Sequence, residues 1–221
     1  MAKAIVSTVL YYTIASVLYF VAAGRWDLPL AWLYFIVNAA VGFGLVLVLG
    51  RKDPGLLQER LKPGAGEKDK VFKAVNTTLM AIQFVIAGFD AGRRHWAPRV
   101  SPAWQVTSLL LVFAGLLMLI WAMLRNPFFS SAVRLQPDRK QVLVSAGPYR
   151  FVRHPGYTGG ILYLIFTGLA LGSWWAELLA IPMLILTLRR TLLEDSMLRD
   201  GLEGYRDYSA KVRFRLIPGV W

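Results

Sequence analysis

The run Arg153-His154-Pro155-Gly156-Tyr157-Thr158-Gly159 gathers a cation, an imidazole and a phenol at the entry to an apolar segment. Polar groups are costly to hold at a membrane boundary and usually serve a ligand. Pro155 restricts His154 to extended backbone and opens the following helix, which fixes where the imidazole points. Gly156, Gly159 and Gly160 leave that helix start uncrowded, open to another backbone or to a ligand. The free amides of a helix start also favour an anionic group. One helix later, Arg190 and Glu194 are four residues apart and share a face, with Asp195 beside them. As a plain i,i+4 ion pair they would contribute only about 0.2–0.5 kcal/mol. As a site, the guanidinium could hold a carboxylate by two parallel hydrogen bonds. With two histidines, His95 on the opposite predicted side, and no cysteine, no metal site or thiolate nucleophile is expected.

These residues need elements to hold them, and the composition says which kind. Of 221 residues 56% are hydrophobic and 17% charged, where a soluble domain carries about 25% charged. Apolar runs of bilayer length, about 20 residues, recur along the chain. The expectation is an all-α polytopic bundle of about six membrane helices, or five if the last hairpin is re-entrant. The spans run over 4–23, 30–50, 71–90, 103–124, 157–171 and 174–190. Pro182 is expected to kink the last one. A polar segment, 51–70, holds Leu56 to Leu61 as a short amphipathic turn on the membrane. The loop 125–155 is long enough to be functional. The tail 191–221 reads as a cytoplasmic amphipathic helix on Leu198, Leu202, Tyr205, Tyr208 and Val212, weakened by Gly201 and Gly204. The first helix, with no small-residue cleavage site after it, reads as retained.

The net charge of +12 is dispersed between apolar runs rather than gathered on one face, which argues against a nucleic-acid partner. Twenty of the 25 Lys and Arg fall on one side if the N-terminus is inside. The expectation is therefore an integral membrane protein with both termini and the large loops cytoplasmic.

The residues together resemble the isoprenylcysteine carboxyl methyltransferase family of membrane proteins, related to phospholipid methyltransferases. The resemblance rests on Arg153-His154-Pro155-Gly156-Tyr157-Thr158-Gly159, then Glu194-Asp195, Gly204-Tyr205-Arg206-Asp207-Tyr208 and Val212-Arg213-Phe214-Arg215-Leu216-Ile217-Pro218. It covers about 126–221. It implies an S-adenosylmethionine-dependent enzyme that releases S-adenosylhomocysteine. It also implies that Gln141, Val142, Leu143, Val144, Tyr149, His154, Pro155, Gly156, Tyr157 and Glu194 bind the cofactor. Arg190 would face the methyl acceptor, a lipophilic or small molecule with a carboxylate, thiol or amine. Asp195 departs from the family's second glutamate. On this reading 1–125 forms the acceptor side and 126–221 the cofactor side, with the lipid bilayer as the other partner. Two alternatives stand beside it. One is a membrane NADPH-dependent sterol-type reductase with a related motif; the other is a non-catalytic transporter or scaffold.

Overall fold

A computed structural model describes residues 1–61 and 67–221. Lys62 to Gly66, part of the predicted polar segment 51–70, lie outside the described residues. The described residues are helical, with no strand among them: α1 (Ala2–Ala23), α2 (Pro29–Lys52), α3 (Pro54–Leu61), α4 (Glu67–Gly88), α5 (Pro102–Arg125), α6 (Pro155–Ala170), α7 (Trp174–Leu178), α8 (Ala180–Gly201) and α9 (Tyr205–Lys211).

Local chemistry sets the ends of these helices. Gly24 closes α1 in the left-handed region, φ 65°, with its amide on Phe20 O. Pro29, Pro102 and Pro155 stand in the first turns of α2, α5 and α6, where a missing N–H costs nothing. Ser101 and Ser173 cap α5 and α7 through their hydroxyls. α4 continues as a π-helical turn, Phe89–Arg94, so this helix reaches beyond the expected end at Asp90.

Among the described residues, four helices are long and apolar enough to cross a bilayer: Ala2–Ala23, Pro29–Lys52, Asp69–Arg94 and Pro102–Arg125. Their outer faces carry exposed Val6, Leu10, Ile14 and Val17 on α1, and Leu110, Leu117 and Trp121 on α5. A lipid solvent explains that surface; water does not. Inside, Tyr19, Phe20, Tyr34, Phe35 and Phe84 build an aromatic core that also takes in Leu171 and Met183. The polar groups buried there are largely spent on backbone. Tyr19 Oη donates to Leu171 O at 3.0 Å, and Gln83 Nε2 to Ala176 O at 3.1 Å.

The last hairpin is shorter and more broken than two plain spans. α6 has 16 residues, about 24 Å of helix against a hydrocarbon core of about 30 Å. The return is interrupted at Leu179, between α7 and α8. Pro182 stands one turn after Leu178, and its missing N–H removes the helical bond to Leu178 O, so the expected disruption of the last span falls at Leu179. α3 is a real helix, but its Leu56 and Leu57 are buried against Val46, Leu49 and Met123 rather than left to lipid. The tail is not one helix either. It breaks at 202–204, where Gly204 has φ 76°, and restarts as α9.

Packing of α6 on α5 fixes the hairpin. A Cβ on Gly159 would lie 2.4 Å from Gly115 O and 2.7 Å from Leu119 N; one on Gly115 would meet Gly159 O. The two backbones touch through these glycines, the close approach that small residues allow between membrane helices. Gly156 instead makes room for the Phe129 ring, 2.5 Å from its notional Cβ. At Gly160 an added Cβ would have nothing within 4 Å.

Candidate active site

Asp195 organises the end of the bundle where the loop 126–154 and the tail meet. It stands on α8, 2% exposed, and five side chains converge on it. Tyr205 Oη donates to Oδ1 at 2.8 Å, and His154 Nε2 lies 3.2 Å from the same oxygen. Arg215 Nε is 3.0 Å from Oδ2 and Arg153 Nη2 is 3.3 Å from it. Arg199, one helical turn on, reaches within 3.6 Å. Burial alone would raise this carboxyl. The contacts from His154 and Tyr205 and the charge of Arg153 outweigh it and hold Asp195 below the usual carboxylate range.

The tail clamps the motif through its backbone. Arg153 N and His154 N donate to Phe214 O and Arg215 O, both at 2.9 Å. Thr158 Oγ1 donates to Leu216 O at 2.8 Å, and Tyr208 Oη to Tyr149 O at 2.7 Å. Two amides that precede the α6 start are therefore taken by the chain itself. The imidazole of His154, 5% exposed, is aimed by Asp195 and Tyr205.

Tyr157 joins the other two polar residues. Its hydroxyl donates to Glu194 Oε2 at 2.7 Å and accepts from Arg190 Nε at 3.0 Å. The rest of the Arg190 guanidinium is held from elsewhere: Nη1 lies 2.7 Å from Asp69 Oδ1, Nη2 donates to Ser131 O at 3.0 Å, and the plane lies over Phe72, 4.4 Å from its centroid. Asp69 also accepts from Val133 N at 3.2 Å, so α4 and the loop 126–154 meet at this ion pair. That loop is pinned further by Arg134 on Glu59 at 2.9 Å and by Gln136 Nε2 on Phe128 O at 2.7 Å.

These groups border one cavity of about 400 Å³, within the ~300–1,000 Å³ of ordinary small-ligand pockets. Its wall includes Gln141, Val142, Leu143, Val144, Tyr149, His154, Gly156, Tyr157, Arg190 and Glu194. Pro155 is the one residue of the expected set outside that lining; it is buried at the head of α6. Gly160 opens onto the same space. Arg60, Phe72, Lys73 and Asn76 from α3 and α4 complete the wall, with Leu198, Leu202, Tyr205 and Tyr208 from the tail. The sequence motifs carry no sign of the α3 and α4 residues, because their approach is a tertiary contact between distant segments. Tyr205 and Tyr208 stand in a recognised motif and fall on the apolar stripe of the expected tail helix.

The fold and wall describe a membrane protein with a mixed polar and apolar pocket closed by its C-terminal region, and comparison with known proteins agrees. Residues 104–203 match the family model for phospholipid methyltransferase. The chain is also similar to Protein-S-isoprenylcysteine O-methyltransferase of Schizosaccharomyces pombe, 25% identical over 151 residues. That alignment takes in 68% of this chain and 55% of the relative, so the chain spans about half the length of the curated relative it matches. The resemblance read from the motifs is borne out, and both matches are to methyltransferases. Neither favours the reductase alternative.

Proposed function

We propose that the protein is an S-adenosylmethionine-dependent integral membrane methyltransferase acting on a lipophilic or small acceptor. The observation that carries this reading is that one cavity wall holds ten of the eleven residues the family resemblance implied. Its donor set suits the cofactor. A carboxylate at Glu194 can accept from amine and hydroxyl groups, Tyr149 and Tyr205 supply aromatic surface, and the 141–144 strand of loop offers backbone. When bound, S-adenosylmethionine supplies a methyl group already activated by a sulfonium.

The protein's task is then alignment and exclusion of water rather than acid–base work. Tyr157 and Glu194 orient one another, Arg190 is fixed by Asp69 and Ser131 at the boundary with α4, and the clamped tail closes the wall. His154 and Asp195 are positioning residues on this account, because their polar atoms are directed at one another. Residues 126–221 form the cofactor side and 1–125 the acceptor side. With the N-terminus in the cytoplasm, four crossings bring Arg125 back to that face. A hairpin that returns to the side it left keeps α8, the tail and the cavity there too.

Binding of S-adenosylhomocysteine to the purified protein tests the reading. Glu194→Ala should weaken it about tenfold or more, the loss expected for a charged hydrogen-bond partner worth ~1.5–3 kcal/mol. Unchanged affinity in both Glu194→Ala and Tyr149→Ala would remove the cofactor assignment.

A further inference from the structure

Most charges in the cavity wall are already balanced. Arg190 is paired with Asp69, Arg134 with Glu59 and Asp138, and Arg153 with Asp195. Arg60 and Lys73 are different. The Arg60 guanidinium rests on the Phe129 ring, 5.3 Å from its centroid, and Lys73 Nζ donates to Ser131 Oγ at 3.1 Å. Among the described residues neither has a carboxylate within ion-pair distance. Both line the cavity; Lys73 lies within electrostatic reach of Arg60 and Arg190, and of Asp69, a carboxylate that Arg190 already engages at 2.7 Å. Burial pushes Arg60 down to about 10, the response of a cation that has lost water and gained no acid. Two unpaired cations held together in a partly buried wall repel one another, and an anion bridging them removes that cost.

Their height in the fold says what kind of anion. α3 follows directly on the C-terminal end of α2, and Lys73 is one turn into the span Asp69–Arg94. That is the level of a lipid headgroup. Below it the same wall turns apolar through Leu119, Tyr163 and Leu164.

We propose that Arg60 and Lys73 form an anion subsite for the methyl acceptor, which is therefore an anionic amphiphile. Its phosphate or carboxylate sits between the two cations, and its hydrocarbon follows the apolar wall. This rests on the methyltransferase reading for the word acceptor, while the anion site itself can be measured without turnover. Arg190, balanced by Asp69, is the weaker anion ligand of the three.

The test titrates the full-length protein in neutral detergent, with and without S-adenosylhomocysteine, using monododecyl phosphate, sodium myristate and uncharged methyl myristate. At least one anion should bind about tenfold more tightly than the ester, in keeping with the strength of charge-assisted contacts. Whichever anion leads identifies phosphate or carboxylate as the natural group. Arg60→Gln with Lys73→Gln should abolish the preference, Arg60→Lys should keep most of it, and S-adenosylhomocysteine affinity should stay at the parent value in both. Equal binding of ester and anions, or a preference that survives the double substitution, overturns the subsite. Anion binding through Arg60 and Lys73 in a protein that ignores S-adenosylhomocysteine would uphold the subsite and discard the cofactor reading.

Discussion

Asp195 replaces the longer acid that the family resemblance leads one to expect, and the structure gives the shorter side chain a defined place. One carboxylate receives Arg153, His154, Arg199, Tyr205 and Arg215. Removing the charge leaves several buried donors facing one another. Asp195→Asn should therefore cost about 3 kcal/mol or more, as for one member of a buried ion pair, read as a drop in thermal unfolding temperature in detergent. The pH dependence has a definite sign. The folded carboxyl is held below the usual range, so its contribution is fully present above the unfolded value of about 3.9 and fades only as pH falls below it. Between pH 5 and 8 the gap between parent and variant should stay constant. A gap that closes within that window would assign the stabilisation to another group. Arg190 calls for a gentler change, because deleting it strands Asp69. Arg190→Lys keeps the charge and loses the fork that spans Tyr157, Asp69 and Ser131. On the proposed function, turnover should fall at least about tenfold while S-adenosylhomocysteine affinity holds. The opposite split would take Arg190 off the acceptor side.

Among the elements, the α5–α6 contact does the positioning, since it sets α6 and so His154, Tyr157 and the cavity floor. Its two glycines have unlike neighbours to Gly160. Gly159→Ala drives a methyl into the α5 backbone and should cost about 1–3 kcal/mol. Gly160→Ala meets open space in a helix interior and should stabilise by up to about 1 kcal/mol. Thermal unfolding of the two variants side by side checks this; equal effects would mean that the close approach is not what holds α6. Gly156, Gly159 and Gly160 are visible in the sequence as permissive positions, but not which of them meets a ring, a backbone or a cavity. The same boundary runs through the whole site. Tyr157, Arg190 and Glu194 were legible because they recur at motif or helical spacing. Asp69, Arg60 and Lys73 were not, because they come to Tyr157, Arg190 and Glu194 from positions 84 to 134 residues away, and only folding supplies that proximity. The tail helix was overextended for a related reason: its apolar spacing survives across 202–204, but Gly204 takes a left-handed conformation and ends it.

For the whole molecule, the chain's charge asymmetry makes a directional claim that its cysteine-free sequence is well suited to check. Basic residues cluster at 51–70, 125–153 and 189–215, whereas the opposite turns hold Arg25, Arg93, Arg94 and Arg99. If the inside rule governs, the cavity mouth and the tail face the cytoplasm. Single cysteines can then be placed on exposed positions at the two ends: Trp26→Cys in the α1–α2 turn and Glu203→Cys in the α8–α9 turn. In intact cells a membrane-impermeant maleimide should label position 26 and leave position 203 unlabelled until the membrane is opened. Reversed labelling would invert the topology and move the cavity to the other face, away from a cytoplasmic pool of cofactor. Labelling of both sites in intact cells would contradict the four-crossing arrangement, which places these two turns on opposite sides whether the α6–α8 hairpin crosses the bilayer or only enters it.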